Sequence, residues 1–128
     1  MVRPDIDLED YPKLTMVAGV AAAGCVRDTS TIAMGLKWPN DLYIATRKCG
    51  GILCESSTAS GSPFAVIGIG INCNLSDSDI PEELKGIATS LLVEGGATID
   101  ITRLFGDLRE HLLDAIGDFE QHGFAEIL

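Results

Sequence analysis

Lys37 closes an apolar segment (Ile32, Met34, Leu36) and stands directly before Trp38-Pro39-Asn40-Asp41. A proline–asparagine pair turns the chain sharply, so the lysine sits at a strand end beside a rigid turn. Its ammonium is placed to meet an anion. A solvated lysine at a hairpin mouth is the other reading of the same residues. A second group of chemistry-bearing positions lies at 64–72, FAVIGIGIN. Side chains alternate along a strand, so Phe64, Val66, Gly68, Gly70 and Asn72 share one face. Ile67, Ile69, Ile71 and Cys73 share the other, which is bulky and reads as core. The even-numbered face goes bare at Gly68 and Gly70 and then offers an amide at Asn72. Gly50-Gly51 repeat the bareness. Glycine weakens a strand interior, so two on one face point to something that approaches the backbone closely. A flat ligand would do so, and so would a helix or strand packed over them; these residues alone leave both open. Neither the dinucleotide pattern GxGxxG nor a P-loop is present.

The elements that must hold these groups follow from periodicity and punctuation. Residues 1–10 read as an irregular lead-in. Asp10 and Pro12 suit a helix start, and Leu14, Val17, Val20, Ala21 and Cys25 recur at helical spacing, predicting a helix over 12–28. Its alanines and glycines permit close packing on a sheet. Strands are expected at 31–37, 42–45, 48–55 and 64–72, with a small, polar loop at 56–63. The last strand is an uninterrupted apolar run, which predicts a central position covered on both faces. Links this short make the strands mostly antiparallel, because a parallel crossover needs about a dozen residues or more. The acidic stretch 74–83 reads as a loop with one helical turn near Pro81, and a short helix stops at Gly95-Gly96. Asp100 caps a longer helix whose stripe is Ile101, Leu104, Phe105, Leu108, Leu112, Ile116 and Phe119, ended by Gly123. The expected class is α+β, a mostly antiparallel or mixed sheet packed against helices, as a single domain over 1–128.

Bulk properties remove several functions. The 128 residues are 46% hydrophobic and carry a net charge of −10 with no basic run. Nucleic-acid affinity comes from lysine and arginine neutralising phosphates, so this chain is expected to bind neither nucleic acid nor an anionic membrane. The four cysteines (Cys25, Cys49, Cys54, Cys73) form no CxxC pair, and neither His111 nor His122 is close to one in sequence. No metal site is expected; buried free thiols in a reducing cytosol account for them. No signal-peptide pattern or spanning apolar run occurs, so a cytoplasmic protein is expected.

Three motifs now stand in one order: KWPND at 37–41, RKCGGILCE at 47–55 and GIGIN at 68–72. Together they resemble the catalytic domain of biotin protein ligases (biotin–[acetyl-CoA-carboxylase] ligases, holocarboxylase synthetases), and Ala88-Thr89-Ser90-Leu91 resembles the same family. The resemblance covers about residues 10–120. It implies the fold shared by class II aminoacyl-tRNA synthetases and biotin protein ligases. It implies two half-reactions: biotin and ATP, the latter with Mg2+, give biotinyl-5′-adenylate and pyrophosphate, and a lysine of a biotin carboxyl carrier domain then attacks the adenylate. Lys37 matches the lysine that meets the biotin carboxylate and α-phosphate, and is the catalytic candidate. Asn72 matches the asparagine on the adenine edge, while Gly51, Gly68 and Gly70 form part of the biotin and adenylate floor. Trp38 and Asn40 shape the turn and are candidates to flank the nucleotide. Dimerisation is also implied.

The family's GRGRxGR loop, its Ser/Thr segment and its supporting strand precede the helix placed here at 12–28, and they have no counterpart among these residues. Its C-terminal β-barrel and DNA-binding module have none either. The resemblance therefore implies the C-terminal part of a catalytic domain, with weak ligation or none in the absence of the arginine clamp. Three other readings stay open: a non-catalytic biotin- or nucleotide-binding module, a lipoate-type acyl-adenylating ligase, and a structural fragment pairing through an open sheet edge.

Overall fold

Small and branched apolar residues on every side of one segment give the central helix α1 (Leu14–Ser30), with Leu14, Val17, Ala18, Ala21, Ala22, Cys25 and Val26 all buried. A helix apolar all round must be covered all round. Here the sheet covers one side: a Cβ at Gly19 would lie 3.0 Å from Leu36 and 3.3 Å from Ile52. The helix α3 (Ile101–His122) covers another. The computed structural model describes residues 1–59 and 61–124.

The sheet is a four-stranded antiparallel meander of β1 (Gly35–Lys37), β2 (Asp41–Ile44), β3 (Arg47–Ser57) and β4 (Phe64–Ile71), in that spatial order. The expected α+β class holds. Leu42, Ile44, Cys49, Ile52 and Ala65 form its helix-facing side. Each such fully buried branched side chain contributes about 1.5–3 kcal/mol relative to exposure. Short 3-10 turns occupy Asp77–Asp79 and Glu82–Leu84, where one helical turn was expected. The short helix α2 (Leu91–Gly95) ends at Gly96, whose φ is 74°. Among the described residues no helix is long and apolar enough to cross a membrane.

Several boundaries and one placement depart from the sequence reading. α1 is entered through a 3-10 segment, Leu8–Lys13, and the Asp10 carboxylate accepts from Lys13 Nζ at 2.8 Å instead of capping the helix. At its other end the helix runs to Ser30, where Thr29 and Ser30 donate their hydroxyls to the Cys25 and Val26 carbonyls. Thr31 then turns left-handed at φ 60°, so the expected strand at 31–37 shrinks to three residues. The lead-in is not wholly irregular, because Val2 exchanges both backbone hydrogen bonds with Ala65. Ser60, inside the expected loop at 56–63, lies outside the described residues.

The strand expected to be central is the sheet's edge. Among the four strands β4 pairs with β3 alone, and its outer edge is met by the single bridge to Val2; its odd-numbered face meets the helices, while Val66, Gly68 and Gly70 are exposed. The glycines lower the bulk of that face, and among the described residues no second helical layer covers it. On α3, Asp100 does cap, accepting from the Arg103 N–H at 3.2 Å. Leu104, Ile116 and Phe119 are buried, but Ile101 and Phe105 of the expected stripe are exposed.

α1 and α3 are also joined by charge. His111 Nε2 is 3.1 Å from Asp28 Oδ2, and Nδ1 is 2.8 Å from the Asp107 carbonyl oxygen. Both oxygens can only accept, so the contact favours the doubly protonated ring, which donates from both nitrogens. The Asp28 hydrogen bond raises the His111 pKa, and that same bond lowers Asp28. A raised histidine pKa stabilises the fold fully below the unfolded value and loses that contribution as pH rises through the folded one; the lowered Asp28 does the reverse in acid. We expect His111→Gln to reduce the thermal midpoint at pH 5.5 and to change it less at pH 9, measured by circular dichroism melting. An equal reduction at both pH values would remove the ionic account of this contact.

Candidate active site

The register of the meander places the sequence candidates in one transverse line. Lys37 opposes Asp41, Asp41 opposes Gly51, and Gly51 opposes Gly70. Opposed residues project from the same face, and neighbouring strands are about 4.8 Å apart, so the line spans roughly 14 Å. Gly68 lies on the same face, opposite Leu53. Among the described residues this face carries no helices. Asn40, Asp41, Lys48 and Leu53 wall an open trough of about 500 Å³ whose floor is Gly51, Gly68 and Gly70. An apolar cleft of about 660 Å³ adjoins it, sharing Asn40, Ile52 and Leu53 and bounded by Met16, Trp38, Pro39 and Cys54.

The four glycines of β3 and β4 divide by cause. At Gly50 a Cβ would lie 2.1 Å from the Gly70 carbonyl oxygen, so the backbones themselves forbid a side chain. At Gly51, Gly68 and Gly70 the nearest atoms would stand 3.6, 3.6 and 3.9 Å away, which is ordinary contact. Nothing in the described packing needs those three to be bare. Among the described residues no helix or strand packs closely over them.

Lys37 lies at the exposed end of β1, with its ammonium 5.2 Å from the Tyr43 ring centroid, a cation–π contact. The Trp38–Pro39 bond is cis, and Trp38 is 78% exposed beside the apolar cleft. Asn40 is tied to β3: its Nδ2 donates to the Ile52 carbonyl at 3.2 Å, and its own carbonyl accepts from the Ile52 N–H at 2.8 Å. Its amide nitrogen thus fixes the turn that presents Lys37.

Asn72 follows the end of β4. Its backbone N–H donates to Cys49 and its carbonyl accepts from Leu91, while its side-chain Nδ2 donates to the Thr89 carbonyl at 3.2 Å. Thr89 is fully buried, and its hydroxyl donates to Glu94 Oε1 at 2.7 Å, an oxygen that also pairs with Arg47. A chain of polar contacts through Thr89, Glu94 and Arg47 thus orients the Asn72 amide. Sequence reasoning singled out Ala88-Thr89-Ser90-Leu91 by likeness and missed this chain, because its members are far apart in sequence. Burial raises the thiol pKa values of Cys25 and Cys49 to about 11, so neither is a thiolate nucleophile near neutrality.

The reading also missed Lys48. Strict alternation puts Lys48 with Gly50 and Ile52 on the helix side. The register slips by one between Leu42 and Tyr43, leaving Cys49 as an extra residue, and Lys48 pairs with Tyr43 on the open face. Its Nζ is 3.0 Å from Asp41 Oδ1, and its Cε would lie 3.8 Å from a Gly51 Cβ.

The bare floor, the placed lysine and the oriented amide accompany a plain family assignment. Residues 4–72 match the profile of the Biotin/lipoate A/B protein ligase family, and the chain belongs to it. It is 38% identical over 128 residues to the bifunctional ligase/repressor BirA of Bacillus subtilis, covering 99% of this chain and 39% of that protein. It is 34% identical over 111 residues to the biotin–[acetyl-CoA-carboxylase] ligase of Mycobacterium tuberculosis, covering 84% and 39%. The structure of the Aquifex aeolicus biotin protein ligase in complex with biotin and ATP superposes with a TM-score of 0.80 at 30% identity, over 93% of this chain and 49% of that one. The chain thus spans about 39% of the length of these curated relatives.

The glycine division can be tested without ligand. Gly51→Ala and Gly68→Ala are expected to hold or raise stability by up to about 1 kcal/mol, since alanine orders more cheaply than glycine. Gly50→Ala should cost about 1–3 kcal/mol as the strands are forced apart. Urea unfolding midpoints check both; a Gly51→Ala protein as unstable as Gly50→Ala would show that the floor glycines are packing residues.

Proposed function

We propose that this chain carries the part of a biotin protein ligase that seats biotin and ATP and forms biotinyl-5′-adenylate. The observation that carries the reading is the floor of Gly51, Gly68 and Gly70, bare with no packing cause, in line with Lys37. A flat ligand can lie directly on that backbone. In this reading an oxygen of the biotin carboxylate attacks the α-phosphorus of ATP, the bond to the β-phosphate bridging oxygen breaks, and pyrophosphate leaves. The Lys37 ammonium meets the charge that gathers between carboxylate and α-phosphate. Asn72 offers its amide to the adenine edge, held by Thr89, and Trp38 flanks the nucleotide from the adjoining cleft.

In the second half-reaction the lysine amine of a carboxyl carrier domain attacks the acyl carbon and AMP leaves. Among the described residues no three metal-ligating side chains converge, so magnesium belongs to the reading as the ion that arrives with ATP. The reading places the protein in the cytoplasm and admits a homodimer.

Thermal shift of the 128-residue chain with biotin, lipoate and ATP is the direct test, followed by pyrophosphate release. Stabilisation by biotin and not lipoate is expected; stabilisation without pyrophosphate release would favour a binding module, and lipoate alone would favour the sister chemistry. Lys37→Ala should bind a non-hydrolysable biotinyl-adenylate analogue about 10- to 100-fold more weakly, the loss of one charge-assisted bond, with the melting temperature unchanged. Titration calorimetry reads this, and undiminished affinity would take the anion role from Lys37.

A further inference from the structure

Of the residues that line the trough, Lys48 is the cationic one. Lys37 stands at the end of the row, over Tyr43. Three features single Lys48 out. The extra residue at Cys49 turns its side chain from the helix side to the open face, the kind of re-aiming that bulges perform beside functional sites. Its backbone is fixed on the side toward residues 87–89, where its N–H donates to Ile87 at 2.8 Å and its carbonyl accepts from Thr89 at 2.9 Å. Its stem passes over Gly51, which brings the ammonium to the floor. Among the described residues Asp41, at 3.0 Å, is the charged group paired with that ammonium, and both side chains remain partly exposed, at 47% and 28%. A pair this wet is held weakly. An anion seated on the floor can therefore take the lysine from the carboxylate.

We propose that Lys48 is a second ligand-binding cation of the site: with ligand present its ammonium leaves Asp41 and takes a carboxylate or phosphoryl oxygen lying over Gly51 and Gly70. The proposal rests on the adenylate reading of the trough. Asp41 then serves as the holding partner of the empty site and as a competitor of the ligand. That makes the two halves of one ion pair opposite in sign. Removing Lys48 weakens anion binding, whereas neutralising Asp41 strengthens it. A pair that only braces β2 against β3 would give the same sign for both.

The test measures affinities of the 128-residue chain for biotin, biotinamide, AMP and adenosine by titration calorimetry. Lys48→Met is expected to weaken one anionic ligand about tenfold and to leave its neutral analogue unchanged. Loss on biotin but not biotinamide assigns the carboxylate, and loss on AMP but not adenosine assigns the phosphate. Lys48→Arg should retain most of the affinity, and Asp41→Asn should raise it about two- to fivefold, the worth of an exposed ion pair. Melting temperatures of all three variants confirm folding. Equal loss on charged and neutral ligands, or weaker binding by both Lys48→Met and Asp41→Asn, overturns the proposal alone. A wild-type chain that binds none of the four ligands overturns the adenylate reading and this proposal with it.

Discussion

The close approach of β3 to β4 at Gly50 sets the geometry on which the site depends. With a Cβ excluded there by the Gly70 carbonyl oxygen, the two strands come together in the register Gly50 with Ile71 and Gly51 with Gly70. In a pleated sheet a slip of one residue moves every side chain to the other face. Such a slip here would turn Ile67, Ile69 and Ile71 out to water and bury the glycine floor under α1. The register is thus held twice, by a backbone contact that tolerates only glycine and by the burial of three isoleucines on one side. The open face inherits its order from the closed one.

α1 makes the same point from below. It has no polar face to offer, so it lies between sheet and α3, and Gly19 lets Leu36 and Ile52 approach it. Leu36 immediately precedes Lys37, and Ile52 exchanges hydrogen bonds with Asn40 on the other side of the turn. The KWPND corner is therefore held on one side by Leu36 against Gly19 and on the other by the Asn40–Ile52 hydrogen bonds. A lysine at an exposed three-residue edge strand would ordinarily wander; this one starts from a fixed Cα.

How much of this was legible in the sequence depended on whether the cause was local. α3, capped by Asp100 and ended at Gly123, was legible because caps and a 3.6-residue stripe are local signals. The four strands were legible in order and, except for β1, nearly in extent. The edge position of β4 was not: Ile67, Ile69 and Ile71 alternating with glycine look like an unbroken apolar run, and glycine says nothing about which side is covered. Thr31 and Ile32 looked like strand because both are β-branched, and no glycine or proline marks the end of α1 at Ser30. Of the candidate residues, Lys37, the floor glycines and Asn72 were singled out, while Lys48 stood in the RKCGGILCE motif without a role. Its face is decided by one extra residue in β3, and a bulge leaves no mark in an alternation pattern that contains Cys49, Gly50 and Gly51 in a row.

The two lysines on this face are restrained by different partners, and the difference matters in so acidic a chain. A net charge of −10 repels an anion at a distance, but screening confines that repulsion to about 8 Å at physiological ionic strength. Inside the trough the nearest charges decide. Lys37 rests on the Tyr43 ring, whose attraction for an ammonium is about 0.5–1 kcal/mol at an exposed site and adds no negative charge to the trough. Lys48 rests on a carboxylate, which offsets its field until something better arrives. One cation is therefore available before binding and the other only in exchange. While Lys48 pairs with Asp41 the two charges that line the trough offset each other, and it becomes positive where an anion displaces Asp41.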